Sequence, residues 1–69
     1  MKANFSIRLK ELREENNLSQ RQLAEKTQIC QANISRWEKR IQDPSTESII
    51  ALAEFFGVTT DYLLGVTND

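Results

Sequence analysis

Between Leu18 and Ile41 the chain places two short helical patterns on either side of a tight break, and few folds accommodate that. The first pattern is Leu18-Ser19-Gln20-Arg21-Gln22-Leu23-Ala24-Glu25-Lys26. The break is Thr27-Gln28-Ile29, and the second pattern runs from Cys30 to Arg40. At about 100° per residue, Cys30, Ile34, Trp37, Glu38 and Ile41 share one arc of the second helix. Ala32, Asn33, Ser35, Arg36, Lys39 and Arg40 share the opposite arc, with Gln31 at the boundary. The outward arc offers amides, a methyl, a hydroxyl and three cations. Amides and guanidinium groups bond two atoms of a base edge at once, and lysines bond phosphates. That chemistry suits duplex DNA, although a polar arc alone is also the ordinary solvated face of an amphipathic helix.

The flanking segments supply three more helices. Residues 5–16 carry Phe5, Leu9, Leu12 and Asn16 on one stripe, with Asn4 as the expected N-cap. Ile7 points away from that stripe and is expected to be exposed. Ser19 and Gln22 form an S-x-x-Q capping box that opens a helix over 20–27, followed by one over 31–39. Pro44 precedes Ser45, the expected cap of a helix over 46–56. Ile49, Leu52, Ala53 and Phe56 face inward there, and Gly57 stops the helix. Thr59 or Thr60 caps a last helix over 60–64, where Tyr62, Leu63 and Leu64 close the core before a loose tail, 66–69. The fold class is therefore all-α, a compact five-helix bundle. With 69 residues it is one domain, of a size that buries only about 60% of its unfolded surface.

Composition excludes several functions. A single cysteine forms no internal disulfide, and Cys30 is expected to act as a small buried hydrophobe. Without histidine or a cysteine cluster, no metal site is expected, and no cofactor or small-molecule ligand is indicated. Scattered carboxylates form no convergent catalytic set, so the chain is not expected to be an enzyme. The longest apolar run, Ile49–Ala53, is too short to span a bilayer. Met1-Lys2-Ala3-Asn4 leads straight into a helix with no signal-peptide core, and a cytoplasmic location is expected. The net charge is −1, but residues 1–42 hold all nine cations against five acids, and residues 43–69 hold five acids and no cation. The basic part coincides with the helix pair. Screening over about 8–10 Å leaves a nearby phosphate to feel mainly that part.

The ordered series Leu18-Ser19-Gln20, Leu23-Ala24, Ile34-Ser35-Arg36-Trp37-Glu38, Pro44-Ser45, Gly57-Val58 and Tyr62-Leu63-Leu64 resembles the Cro/C1-type helix-turn-helix family. Phage repressors, Cro proteins and many bacterial regulators belong to it. The resemblance covers residues 5–65 and implies a lambda-repressor-like DNA-binding domain. Three positions depart from the family pattern: Gln28 and Arg40 stand where glycine is usual, and Cys30 replaces a hydroxyl cap. Gln28 at positive φ implies a strain of about 1 kcal/mol.

The resemblance implies a sequence-specific transcriptional regulator, most simply a repressor, that reads the major groove of double-stranded DNA with helix 31–39. Gln31 and Arg36 are the first candidates for base contact, with Ala32 and Asn33 behind them. Ser19, Gln20, Arg21, Lys26, Lys39 and Arg40 are the candidate phosphate contacts. The resemblance further assigns Gln20 to brace the Gln31 amide. Glu38 lies on the inward arc and needs a partner, for which Arg13 is placed; the family commonly has such a pair. Related repressors form two-fold homodimers near their fourth and fifth helices, which makes Ile50, Phe55, Val58 and Tyr62 the candidate dimer surface. The alternative is a protein-interaction module on the same fold, such as an antitoxin or scaffold.

Overall fold

The computed structural model describes residues 4–66. Its five helices are α1 (Phe5–Glu15), α2 (Gln20–Thr27), α3 (Gln31–Glu38), α4 (Thr46–Phe56) and α5 (Thr60–Leu64), with no strand among the described residues. The expected tail lies mostly in Thr67–Asp69, outside the described residues.

Three helices start on hydroxyl caps. Ser19 Oγ accepts from the Gln22 N–H at 3.0 Å, and Gln22 Oε1 accepts from the Ser19 N–H at 2.8 Å, completing the capping box. Ser45 caps α4 through the Ser48 N–H, and Thr59, not Thr60, caps α5 through the Tyr62 N–H. Asn4 does not cap α1. Its backbone is already helical (φ −89°, ψ −6°), and its Nδ2 instead donates to the Gly65 carbonyl at 3.3 Å.

Four helices end in one shared way. The chain turns left-handed at Asn17, Arg40, Gly57 and Gly65. The next N–H then reaches back five residues: Leu18 to Arg13, Ile41 to Arg36, Val58 to Ala53 and Val66 to Asp61, at 2.9–3.1 Å. This closure satisfies carbonyls that a helix end leaves free and redirects the chain sharply. Gln28 makes the corresponding left-handed turn after α2, with φ +59°. The residues that replace the family's glycines thus keep its turn angles.

Phe5, Leu9, Leu12, Leu23, Ile34, Trp37, Leu52, Ala53 and Leu63 form the buried core. Trp37 stands edge-on to Phe5, with ring centres 6.3 Å apart. Helix α3 packs on α1 and α2, while α5 packs on α1 and α4. Arg8 ties α1 to α5, since its guanidinium lies 4.0 Å from the Tyr62 ring centre and Nη1 donates to the Tyr62 carbonyl. Ser6 and Pro44 are also buried.

Three expectations from the helical wheel need correction. Ile41 is 70% exposed, because α3 stops at Glu38 and the left-handed Arg40 carries the chain off the wheel. Cys30 is exposed, because it precedes α3 with extended-type angles (φ −59°, ψ 130°) and provides no side-chain cap. Asn16 is exposed and folds back on its own helix, donating to the Leu12 carbonyl at 2.7 Å.

Candidate nucleic-acid interface

The outward face of α3 depends on how firmly the helix is held from behind. Ile34 and Trp37 anchor it in the core, one helical turn apart. Between them and the surface sits the ion pair expected from the sequence. Arg13 Nε donates to Glu38 Oε2 at 2.8 Å and Arg13 Nη2 to Glu38 Oε1 at 3.0 Å. The two side chains are only 11% and 6% exposed. The fork is further fixed by Arg13 Nη1, which donates to the Leu18 carbonyl at 2.8 Å. A charged pair so enclosed survives because each guanidinium nitrogen finds an acceptor. The Glu38 hydrogen bond raises the Arg13 guanidinium above its ordinary value, against the opposing pull of burial.

Gln20 joins this pair. Its Nε2 donates to Glu38 Oε1 at 3.1 Å, so the amide braces the carboxylate of α3 and not Gln31 as expected. The cause is geometric. The resemblance places Gln20 at the start of α2, and Glu38 at the end of α3 reaches that point once Arg13 has drawn it inward. This bracing role for Gln20 was not legible in the sequence, since nothing in the pattern relates positions 18 residues apart.

The outward side chains lie as follows. Gln31, Ala32 and Arg36 are exposed, and Asn33 and Ser35 are half-buried. Arg36 Nη1 donates to Asn33 Oδ1 at 3.0 Å, one turn back along the helix. Ser19, Arg21, Lys26, Lys39 and Arg40 are exposed, and Gln20 is half-buried. Arg21 lies 3.6 Å from Glu25, but with both side chains mostly exposed the pair contributes less than about 1 kcal/mol. The capping box takes up the Ser19 and Gln22 N–H groups and leaves those of Gln20 and Arg21 at the positive end of α2. The result is a short helix with an open polar flank and cations at its far end. A second N-terminus stands beside it.

Such a surface suits a polyanion whose groove edges carry paired acceptors. Among the described residues there is no group of ligands that could hold a metal ion, and no helix is long and apolar enough to cross a membrane.

A family model described as helix-turn-helix matches residues 9–63. The chain belongs to the helix-turn-helix family, in its Cro/C1-type form. In helix-turn-helix terms α2 is the supporting helix, and α3 is the recognition helix. The HTH-type transcriptional regulator ImmR of Bacillus subtilis (strain 168) is 41% identical over 58 residues, 84% of this chain and 46% of that protein. The uncharacterized HTH-type transcriptional regulator YobD of the same organism is 36% identical over 65 residues, 94% of this chain and 58% of that protein. The HTH-type transcriptional activator BcrR of Enterococcus faecalis is 42% identical over 60 residues, 87% of this chain and 29% of that protein. The chain spans 29–58% of the length of these relatives, and the helix-turn-helix is the part they share with it.

Proposed function

We propose that this chain is a sequence-specific double-stranded-DNA-binding transcriptional regulator and not an enzyme. The observation that carries the reading is the exposed Gln31 and Arg36 on a recognition helix anchored from behind by Trp37 and the Arg13–Glu38 pair. The names of the three relatives agree with it. Gln31 and Arg36 read base edges, with Ala32 and Asn33 beside them. Ser19, Gln20, Arg21, Lys26, Lys39 and Arg40 hold phosphates on either side.

The protein acts as a homodimer on inverted half-sites about 34 Å apart. Ile50 and Phe55 are exposed apolar residues on α4 and support this. Val58 and Tyr62 are half-buried, lean on the core and line an open groove with Leu12 and Phe56, which a second copy covers. Occupation of an operator by such a dimer excludes other proteins and so represses, and the reading implies a cytoplasmic location.

Selection of bound sites from random duplex DNA tests the proposal. Two inverted copies of a short motif are expected. Recovery of unrelated sequences would sink it in favour of the protein-interaction alternative, and recovery of single half-sites would remove the dimer.

A further inference from the structure

Two arginines of this protein, Arg13 and Arg36, share a bonding habit that bears on what Arg36 recognises. In Arg13, Nη1 is tied to a local acceptor, the Leu18 carbonyl, and the Nε–Nη2 edge then meets the two oxygens of Glu38. In Arg36, Nη1 is likewise tied to a local acceptor, Asn33 Oδ1 at 3.0 Å. Its Nε–Nη2 edge has no partner among the described residues and lies on the exposed side of α3. The two guanidinium groups are therefore prepared in the same way, one closed on a carboxylate and one open to solvent.

We infer that Asn33, grouped above with the base-contact candidates, acts instead as a positioning residue that holds Arg36 for bidentate recognition of a guanine and does not itself read a base. This rests on the DNA-binding reading above and names the base that one of its contacts selects. Guanine presents O6 and N7 side by side in the major groove, a two-acceptor edge that a guanidinium fork matches. A guanidinium only donates, so the Asn33 oxygen must face it and the amide nitrogen must face away. Asn33 is half-buried while Arg36 is exposed, so the acceptor is the fixed member and the long side chain the one being held. An unheld arginine would lose its rotamer freedom on meeting the base; a held one has lost part of it beforehand.

The test is a comparison of wild type, Asn33→Ala, Asn33→Asp, Arg36→Ala and the double alanine variant on duplexes that differ at single base pairs. The readout is the ratio of affinities for guanine against each other base, which cancels any uniform change in phosphate attraction. Asn33→Ala is expected to lower that ratio about three- to tenfold at one position, the position that Arg36→Ala abolishes. Asn33→Asp keeps the acceptor and loses the amide donor, so it is expected to keep the ratio while weakening all duplexes. In the Arg36→Ala background, Asn33→Ala should have no further effect. A change of preference at a different base pair, an undiminished Asn33→Ala effect without Arg36, or no effect at all would overturn the inference while leaving DNA binding intact. A wild-type chain with no base preference would overturn the underlying reading and this inference with it. Circular dichroism of each variant separates these results from misfolding.

Discussion

At the scale of single residues, the recognition helix carries two kinds of cation that mutation should distinguish. Arg36→Ala is expected to cost about 1–3 kcal/mol on the selected site and to relax one base position. Lys39→Ala should weaken all duplexes about equally and reduce the salt slope by about one. Titrations of cognate and scrambled duplexes separate the two, and equal behaviour of both variants would count against Arg36 as a base reader. The Arg13–Glu38 pair acts on stability instead. Removing either partner strands a nearly enclosed charge, so Arg13→Ala or Glu38→Ala is expected to destabilise by about 2–4 kcal/mol in urea unfolding. Exchanging the two residues should recover part of that loss; a double variant no more stable than either single one would contradict a direct pairing. Ser6 shows the opposite case. Its hydroxyl is buried without a hydrogen-bond partner among the described residues, as is the Trp37 indole N–H. Ser6→Ala removes an unsatisfied group at almost no loss of volume, so a small gain, up to about 1 kcal/mol, is expected in the same unfolding experiment.

At the scale of elements, the ends of the helices matter more than their middles. The helices are about one and a half to three turns long, too short to persist alone, and must be ended sharply for the next to pack. The left-handed residue after each helix performs that step. Where it is Gln28, a side chain sits in a conformation that glycine adopts freely, so Gln28→Gly is expected to raise stability by about 0.5–1 kcal/mol. The two glycines should respond unequally to alanine. Gly57 (φ +68°) has open space around an added Cβ, so only the backbone penalty of about 1 kcal/mol applies. At Gly65 (φ +78°) an added Cβ would overlap the Asn4 side chain, where the end of α5 meets the start of α1. Thermal unfolding should therefore place Gly65→Ala clearly below Gly57→Ala. Equal losses would show that the contact between Asn4 and Gly65 yields without resistance.

At the scale of the whole molecule, the proposed approach to DNA depends on charge separation. Its sum of −1 would predict weak attraction, yet the basic residues cluster in the first 42 positions. Lys39 and Arg40 follow α3, Arg21 and Lys26 lie on α2, and the acids of α4 and α5 lie in the other half of the chain. The molecular extents of 27 × 24 × 20 Å are two to three times the screening length of about 8–10 Å at physiological salt, so a phosphate at one face feels little of the charge on the opposite face. With Arg21, Lys26, Lys39 and Arg40 on phosphates in each protomer, a dimer releases about eight counterions. The logarithm of affinity should then fall with the logarithm of salt concentration at a slope of about −7, against about −4 for a monomer. A slope near zero would remove the phosphate contacts, and one near −4 would remove the dimer.

Much of this molecule is readable from short spacings. Ser19 with Gln22, the inward Ile34 and Trp37, the stop at Gly57 and the need for a partner to Glu38 all follow from relations within one or two helical turns. Such relations hold wherever the helix itself holds, so the five elements and the outward face of α3 were determined locally. The wheel holds only within the helix, which is why Ile41, beyond the left-handed Arg40, and Cys30, extended before α3 begins, fell on the wrong side. Tertiary structure alone decided the longer connections: Asn4 to Gly65, Arg8 to Tyr62, and Gln20 to Glu38. Those partners come together only after the helices have packed. Their choice is then set by which donor lies within reach of which acceptor.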